Sequence, residues 1–177
     1  MQQGLDVRSE LAALHAASFG WALACAGRDH DRASEVLQHA YWKVLDGRAR
    51  FLAEGAATFK TWFFGVIRMT ALEQRRFFAR RLSVDAPPLS VPASGPLPDS
   101  AVARMQRAER LSKALAQIAP RQREVLHLVF YEEMSIAEAA AVMNVSIGSA
   151  RQHYDRGKKR LEEILEHPLR FLRSARS

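Results

Sequence analysis

Five of the chain's seven prolines fall between Ser83 and Ser100, in the run SVDAPPLSVPASGPLPDS. Proline lacks an amide hydrogen and its ring fixes φ, so prolines this dense exclude both a helix and a central strand. The run also lacks an apolar period that could pack, and it predicts an extended linker over residues 84–100. The chain has 177 residues, enough for one domain of ordinary size or two small ones, with a modest core either way. The division expected is a helical domain over 1–83, the linker, and a second helical domain over 101–177: an all-α architecture throughout.

The most informative stretch lies beyond the linker, in MSIAEAAAVMNVSIGSARQHYDRGKKRLEEIL from Met134 to Leu165. Ser135 followed three residues later by Glu138 is a capping box, which predicts a short helix running to about Met143. Asn144 and Val145 break it, and Ser146 can cap a second helix. In that helix Ile147, Ala150, Tyr154, Gly157, Leu161 and Ile164 recur at steps of three and four, the mark of one buried stripe. The opposite face carries Ser149, Gln152, Arg156 and Lys159, flanked by Arg151 and Lys158 on one side and His153 and Arg160 on the other. A short helix, a tight turn and a longer helix with Gln and Arg outward match a helix-turn-helix, whose second helix reads the DNA major groove. Gln and Arg suit that place because each can make paired hydrogen bonds to a base edge. An amphipathic hairpin with a solvated basic face fits the same pattern. Upstream, residues 101–118 are amphipathic, and Pro120 opens a supporting helix over Arg121–Tyr131.

The half before the linker also reads as helices. One is predicted from Ser9 to Ala26, with Leu11, Leu14, Ala17, Phe19 and Leu23 inward, ended by Gly27. A second, DRASEVLQHAYWKVL, is capped by Asp29 or Asp31 and turns Ala33, Val36, Leu37, Ala40, Tyr41 and Val44 inward. A third runs from near Thr58 to about Arg81 and begins with the aromatic segment TFKTWFFGVI. Phe59, Trp62, Phe63 and Val66 keep helical spacing and are expected mainly in the core. Aromatic rings beside cations such as Lys60 and Arg68 are also what a platform for unpaired bases requires. The helix ends in RRFFARR, whose arginines complement the helix dipole and suit phosphate contact.

Charge follows the same division. There are 12 basic and 8 acidic residues up to Ser83, none and 2 over residues 84–100, and 14 and 9 after that, giving the net +7. Two basic ends around a middle that is not basic suggest two surfaces that face a polyanion. Cys25 is the chain's single cysteine, which excludes an intrachain disulfide and fits a packed thiol in a reducing compartment. The N-terminal MQQGLDVRSE has no signal-peptide pattern, and no apolar run is long enough to cross a bilayer, so a cytoplasmic protein with no membrane insertion is expected. His15, His30, His39, His127, His153 and His167 show no metal-ligand spacing, and no nucleophile motif appears. Neither an enzyme nor a metal or cofactor protein is expected.

Taken together, FKTWFFGVIRMTALEQRR before the prolines and IAPRQREVLHLVF with the helix-turn-helix after them resemble the extracytoplasmic-function (ECF) sigma factors of bacterial RNA polymerase, over about Phe19 to Leu165. The resemblance implies a protein that directs core polymerase to specific promoters. Region four would read the minus-35 element through Ser149, Arg151, Gln152, His153, Arg156 and Lys159. Region two would open the minus-10 element and hold flipped-out bases, a role falling on Phe59, Lys60, Trp62, Phe63, Arg68, Met69, Arg75 and Arg76. The segment DRASEVLQHAYWKV resembles the helix that docks on the polymerase clamp, implicating Asp31, Glu35, Gln38 and Tyr41. The implied partners are core polymerase, promoter DNA and an anti-sigma factor. The chain departs from the pattern at Ser34 and His39, where the family usually has acids, and at Met69, where it often has Asn. The competing function is a two-domain helix-turn-helix regulator that binds DNA without polymerase, although the N-terminal half lacks the alternating strands and acidic pocket of a sensing domain.

Overall fold

The computed structural model describes residues 6–52, 57–81, 115 and 117–166. The proline-rich run and most of residues 101–118 lie outside them. Seven α-helices and no strand make up the described residues: α1 (Val7–Ala13), α2 (His15–Cys25), α3 (His30–Leu45), α4 (Phe59–Arg81), α5 (Pro120–Phe130), α6 (Ile136–Met143) and α7 (Ile147–Glu166).

Local chemistry sets most of the boundaries. Asp6 caps α1 and Asp29 caps α3, each side chain accepting a hydrogen bond from a backbone N–H of the first turn at 3.1 Å. Thr58 does the same for α4, accepting from the Thr61 amide at 3.1 Å. Gly27 and Gly47, at φ +69° and +73°, lead the chain out of α2 and α3 in a conformation that costs glycine nothing. The single helix expected over Ser9–Ala26 is instead two, parted at Leu14 with φ −89° and ψ 0°. The break lets Leu11 on α1 and the Ser18, Trp21 and Ala22 face of α2 reach the same core.

Helix α4 is the axis of the molecule. Phe63, Phe64 and Ile67 along it are fully buried. On one side they meet Trp21 and Ala22 of α2 and Ala33, Val36, Leu37 and Ala40 of α3. The Trp21 indole donates to the Phe64 carbonyl at 3.0 Å, which satisfies its one polar atom inside the core. On the other side the same cluster continues into Val125 and Leu128 of α5, Met134, and Ala139, Val142 and Met143 of α6. The two halves of the chain therefore share one apolar core. A smaller cluster of Ile118, Leu126 and Ile164 holds α7 to α5.

Candidate nucleic-acid interface

The helix-turn-helix forms from the residues that predict it. Ser135 Oγ accepts from the Glu138 amide at 3.2 Å, and the Glu138 carboxylate accepts from the Ser135 amide at 2.9 Å and hydroxyl at 2.8 Å. Those bonds, the backbone one first, hold the Glu138 carboxyl below its usual pKa. Asn144 ends α6 in the left-handed conformation at φ 52°, ψ 53°, as the turn demands. Ser146 then caps α7, accepting from the Ser149 amide at 3.1 Å.

Ala150, Gly157 and Ile164 of α7 are buried, and Tyr154 and Leu161 half-buried, as the stripe predicts. Ile147 departs from it at 53% exposed, because it sits at the open start of the helix, one turn before Ala150 enters the core. Gly157 lies so close to α5 that a Cβ there would stand 3.0 Å from Gln122 Cβ, 3.1 Å from Leu126 Cδ1 and 3.3 Å from the Gln122 carbonyl oxygen. On the outer face Arg151, Gln152, Arg156 and Lys159 are exposed and His153 is half-buried. Ser149 is half-buried and accepts the Ser146 hydroxyl at 2.9 Å, so it takes part in the cap. Arg156 and Lys159 also line a cavity of about 420 Å³ with Gln117, Ala119, Gln122, Arg160 and Glu163, between the start of α5 and α7.

The residues of α4 singled out for the minus-10 element separate by environment. Phe59 and Phe63 are buried, and Trp62 is half-buried with its ring 5.3 Å from Phe59 and 5.4 Å from Phe51. None of the three rings stands open as a stacking platform in this arrangement. Arg68 is 5% exposed and paired with Glu124 of α5. Lys60 reaches across to Glu132, 3.0 Å from both its carboxylate and its backbone carbonyl. Burial alone would raise the Glu132 carboxyl, but His127, with Nε2 3.5 Å away, and Lys60, at 3.0 Å, hold it below its usual pKa. Met69, Arg75 and Arg76 are exposed. Burial first, then the nearby Glu124 charge, pushes the Cys25 thiol well up despite Arg68, which keeps it a packed neutral group.

On α3, Asp31, Glu35 and Gln38 are exposed along one outer stripe. Tyr41 is not on it: the ring is half-buried against Phe63 at 5.6 Å and its hydroxyl meets His15 Nδ1 at 2.9 Å. The stripe continues instead through Trp42, 49% exposed under the Arg48 guanidinium at 4.2 Å, to Leu45. The spacing 31, 35, 38, 42, 45 contained that signal.

Comparison with known proteins bears on both halves. The family model "Sigma-70, region 4" matches residues 108–161, which include α5, α6 and most of α7. The ECF RNA polymerase sigma factor SigX of Bacillus subtilis (strain 168) is 26% identical over 144 residues, 78% of this chain and 73% of that protein. Among solved structures, the sigma factor RpoE, crystallised with the anti-sigma factor NepR from Bartonella quintana, superposes with a TM-score of 0.71 at 24% identity, covering 91% of this chain and 97% of that one. CnrH in complex with the cytosolic domain of CnrY gives 0.61 at 20% identity, covering 89% and 86%.

Proposed function

We propose, from the premise that this chain belongs to the ECF sigma factors of bacterial RNA polymerase, that its two basic modules recognise the two promoter elements while α3 holds the polymerase core. The observation that carries the reading is the coincidence of the region 4 match with a formed helix-turn-helix whose outer face presents Arg151, Gln152 and Arg156 to solvent. Those three would contact base edges of the minus-35 element, and Lys159 would neutralise a phosphate. Ser149 would act through the cap and His153 from the flank. The similarity to SigX extends well beyond region 4, which favours a polymerase subunit over a free-standing regulator.

In this reading residues 1–83 form the minus-10 module, 101–177 the minus-35 module, and 84–100 the tether. Asp31, Glu35, Gln38 and Trp42 are the docking face on α3, with Tyr41 setting the helix from beneath. Met69, Arg75 and Arg76 lie open for DNA, whereas Lys60 and Arg68 become free only when α5 and α6 leave α4. The polymerase would hold the modules apart, and their linked binding would supply the avidity. The chemistry belongs to the polymerase, so the chain itself needs no catalytic group or cofactor. RpoE and CnrH are each solved with a protein bound, and a protein inhibitor of the same kind is proposed here. No helix among the described residues is long and apolar enough to cross a membrane, in keeping with a cytoplasmic site of action. Transcription by sigma-free core on promoter DNA, with and without the chain, tests the reading.

A further inference from the structure

The first half of α7, from Ile147 to Arg156, is basic but for one acid, Asp155. Further along the helix Glu162 pairs with Lys158 at 4.0 Å and Glu163 with Arg160 at 3.2 Å. Asp155 is exposed and stands four residues from both Arg151 and Lys159, yet among the described residues its carboxylate forms no ion pair and no hydrogen bond. It is the ninth of the helix's twenty residues, too far from the N-terminus to act on the helix dipole. At about 100° per residue it points away from buried Ala150 and Gly157, in the row Arg151, Asp155, Lys159, with Gln152 beside it.

No contact within the protein therefore accounts for this carboxylate, and in a groove walled by phosphates its charge is unfavourable unless something there donates to it. An ionised carboxylate only accepts hydrogen bonds. In the major groove guanine shows two acceptors, thymine an acceptor and a methyl group, and adenine an acceptor beside its amino group. Cytosine alone shows a donor with no acceptor, its N4 amino group. We propose that Asp155 is a specificity-determining residue of the minus-35 contact, accepting from the N4 amino group of one cytosine and repelling bases that place an acceptor there. The inference rests on the reading of α7 as the minus-35 helix. It adds selection by repulsion to the attraction that Arg151, Gln152 and Arg156 supply.

The test uses the full chain with sigma-free core polymerase on promoters randomised across the minus-35 element, and reads the bases in the templates that start transcripts. Wild type should prefer a C·G pair at one position. Asp155→Ala should lose that preference by roughly tenfold while the other positions keep theirs. Asp155→Asn should move it from cytosine to adenine, whose N6 and N7 an amide can pair with at once, an exchange that a merely structural role would not produce. Titrated without polymerase against a duplex of unrelated sequence, both variants should bind at least as tightly as wild type, because a charge that repels phosphate has gone. An Asp155→Ala profile identical to wild type, an equal loss at every position, or weaker binding to the unrelated duplex would overturn the proposal. The underlying function is read separately. Wild type that starts no transcripts with core refutes the sigma reading itself, whereas wild type with a clear minus-35 preference that Asp155→Ala shares in full refutes this assignment alone.

Discussion

Arg68 and Glu124 join the two halves of the chain through a shared carboxylate oxygen: Arg68 Nε and Nη2 both lie 3.1 Å from Glu124 Oε2, with the side chains only 7% and 16% exposed. The pair sits between α4 and α5, where the apolar core is common to both halves. Removing one partner leaves a charge in an apolar setting, which typically costs about 3–5 kcal/mol, whereas replacing both by apolar groups is often neutral. Glu124→Leu or Arg68→Met alone should therefore lower the urea midpoint clearly, and the double substitution should regain most of the loss. Independent, additive effects in that cycle would show that the pair does not couple the halves.

Acid should loosen the second cross-link. Glu132 ionises more readily in the folded protein than its ordinary value of 4.5, held down by His127 and Lys60 against the effect of burial. A carboxyl lowered on folding contributes stability above its unfolded pKa and loses it as pH falls through the folded one. Stability should thus decline on acidification below about pH 4.5, and Glu132→Gln should flatten part of that decline. Glu138 contributes in the same direction through its capping box, so Glu138→Gln should remove a separate share. Chemical denaturation repeated from pH 7 to pH 3 reads both.

Gly157 offers a test of how closely α7 meets α5. Alanine gains about 1 kcal/mol of helix propensity over glycine in a helix interior. Here its Cβ would lie 3.0 Å from Gln122 Cβ with the Gln122 backbone carbonyl behind it, so one of the two helices must shift. Overpacking of this kind costs about 1–3 kcal/mol, which outweighs the propensity gain. Gly157→Ala should lower thermal stability, and Gly157→Val should lower it further.

How far the sequence disclosed this molecule depends on the range of the interactions involved. The helix-turn-helix was legible because its signals are local: Ser135 with Glu138, Asn144 at the turn, Ser146 at the next cap. The break at Leu14 was not, since no Gly, Pro or capping side chain marks it and packing alone imposes it. Tyr41 and Trp42 are adjacent aromatics whose directions differ by one helical step, and assigning the outer face to Tyr41 overlooked the stripe through 31, 35, 38 and 42. Nothing local connects Arg68 with Glu124 or Lys60 with Glu132. These pairings arise only when the halves pack, so a basic side chain that reads as DNA-facing in sequence is enclosed in the fold.

The outer face of α7 carries a prediction about specificity. If Arg156 makes a paired contact to a base edge, Arg156→Ala should cost about 1–3 kcal/mol of discrimination at one minus-35 position. Lys159→Ala should instead weaken all sequences alike and reduce the salt dependence by about one phosphate. Competition between wild-type and single-base-altered minus-35 duplexes, measured with polymerase present, separates the two. Equal behaviour of the two variants would mean that α7 lies in the groove at a different rotation.

The central claim, that this chain gives promoter specificity to RNA polymerase, is tested most directly by adding it to sigma-free core polymerase on genomic DNA and mapping the 5′ ends of the transcripts. The account predicts starts at a limited set of positions that share paired upstream elements at constant spacing, all absent without the chain. Random or absent starts with core, together with a tight sequence-specific footprint from the chain alone, would contradict it.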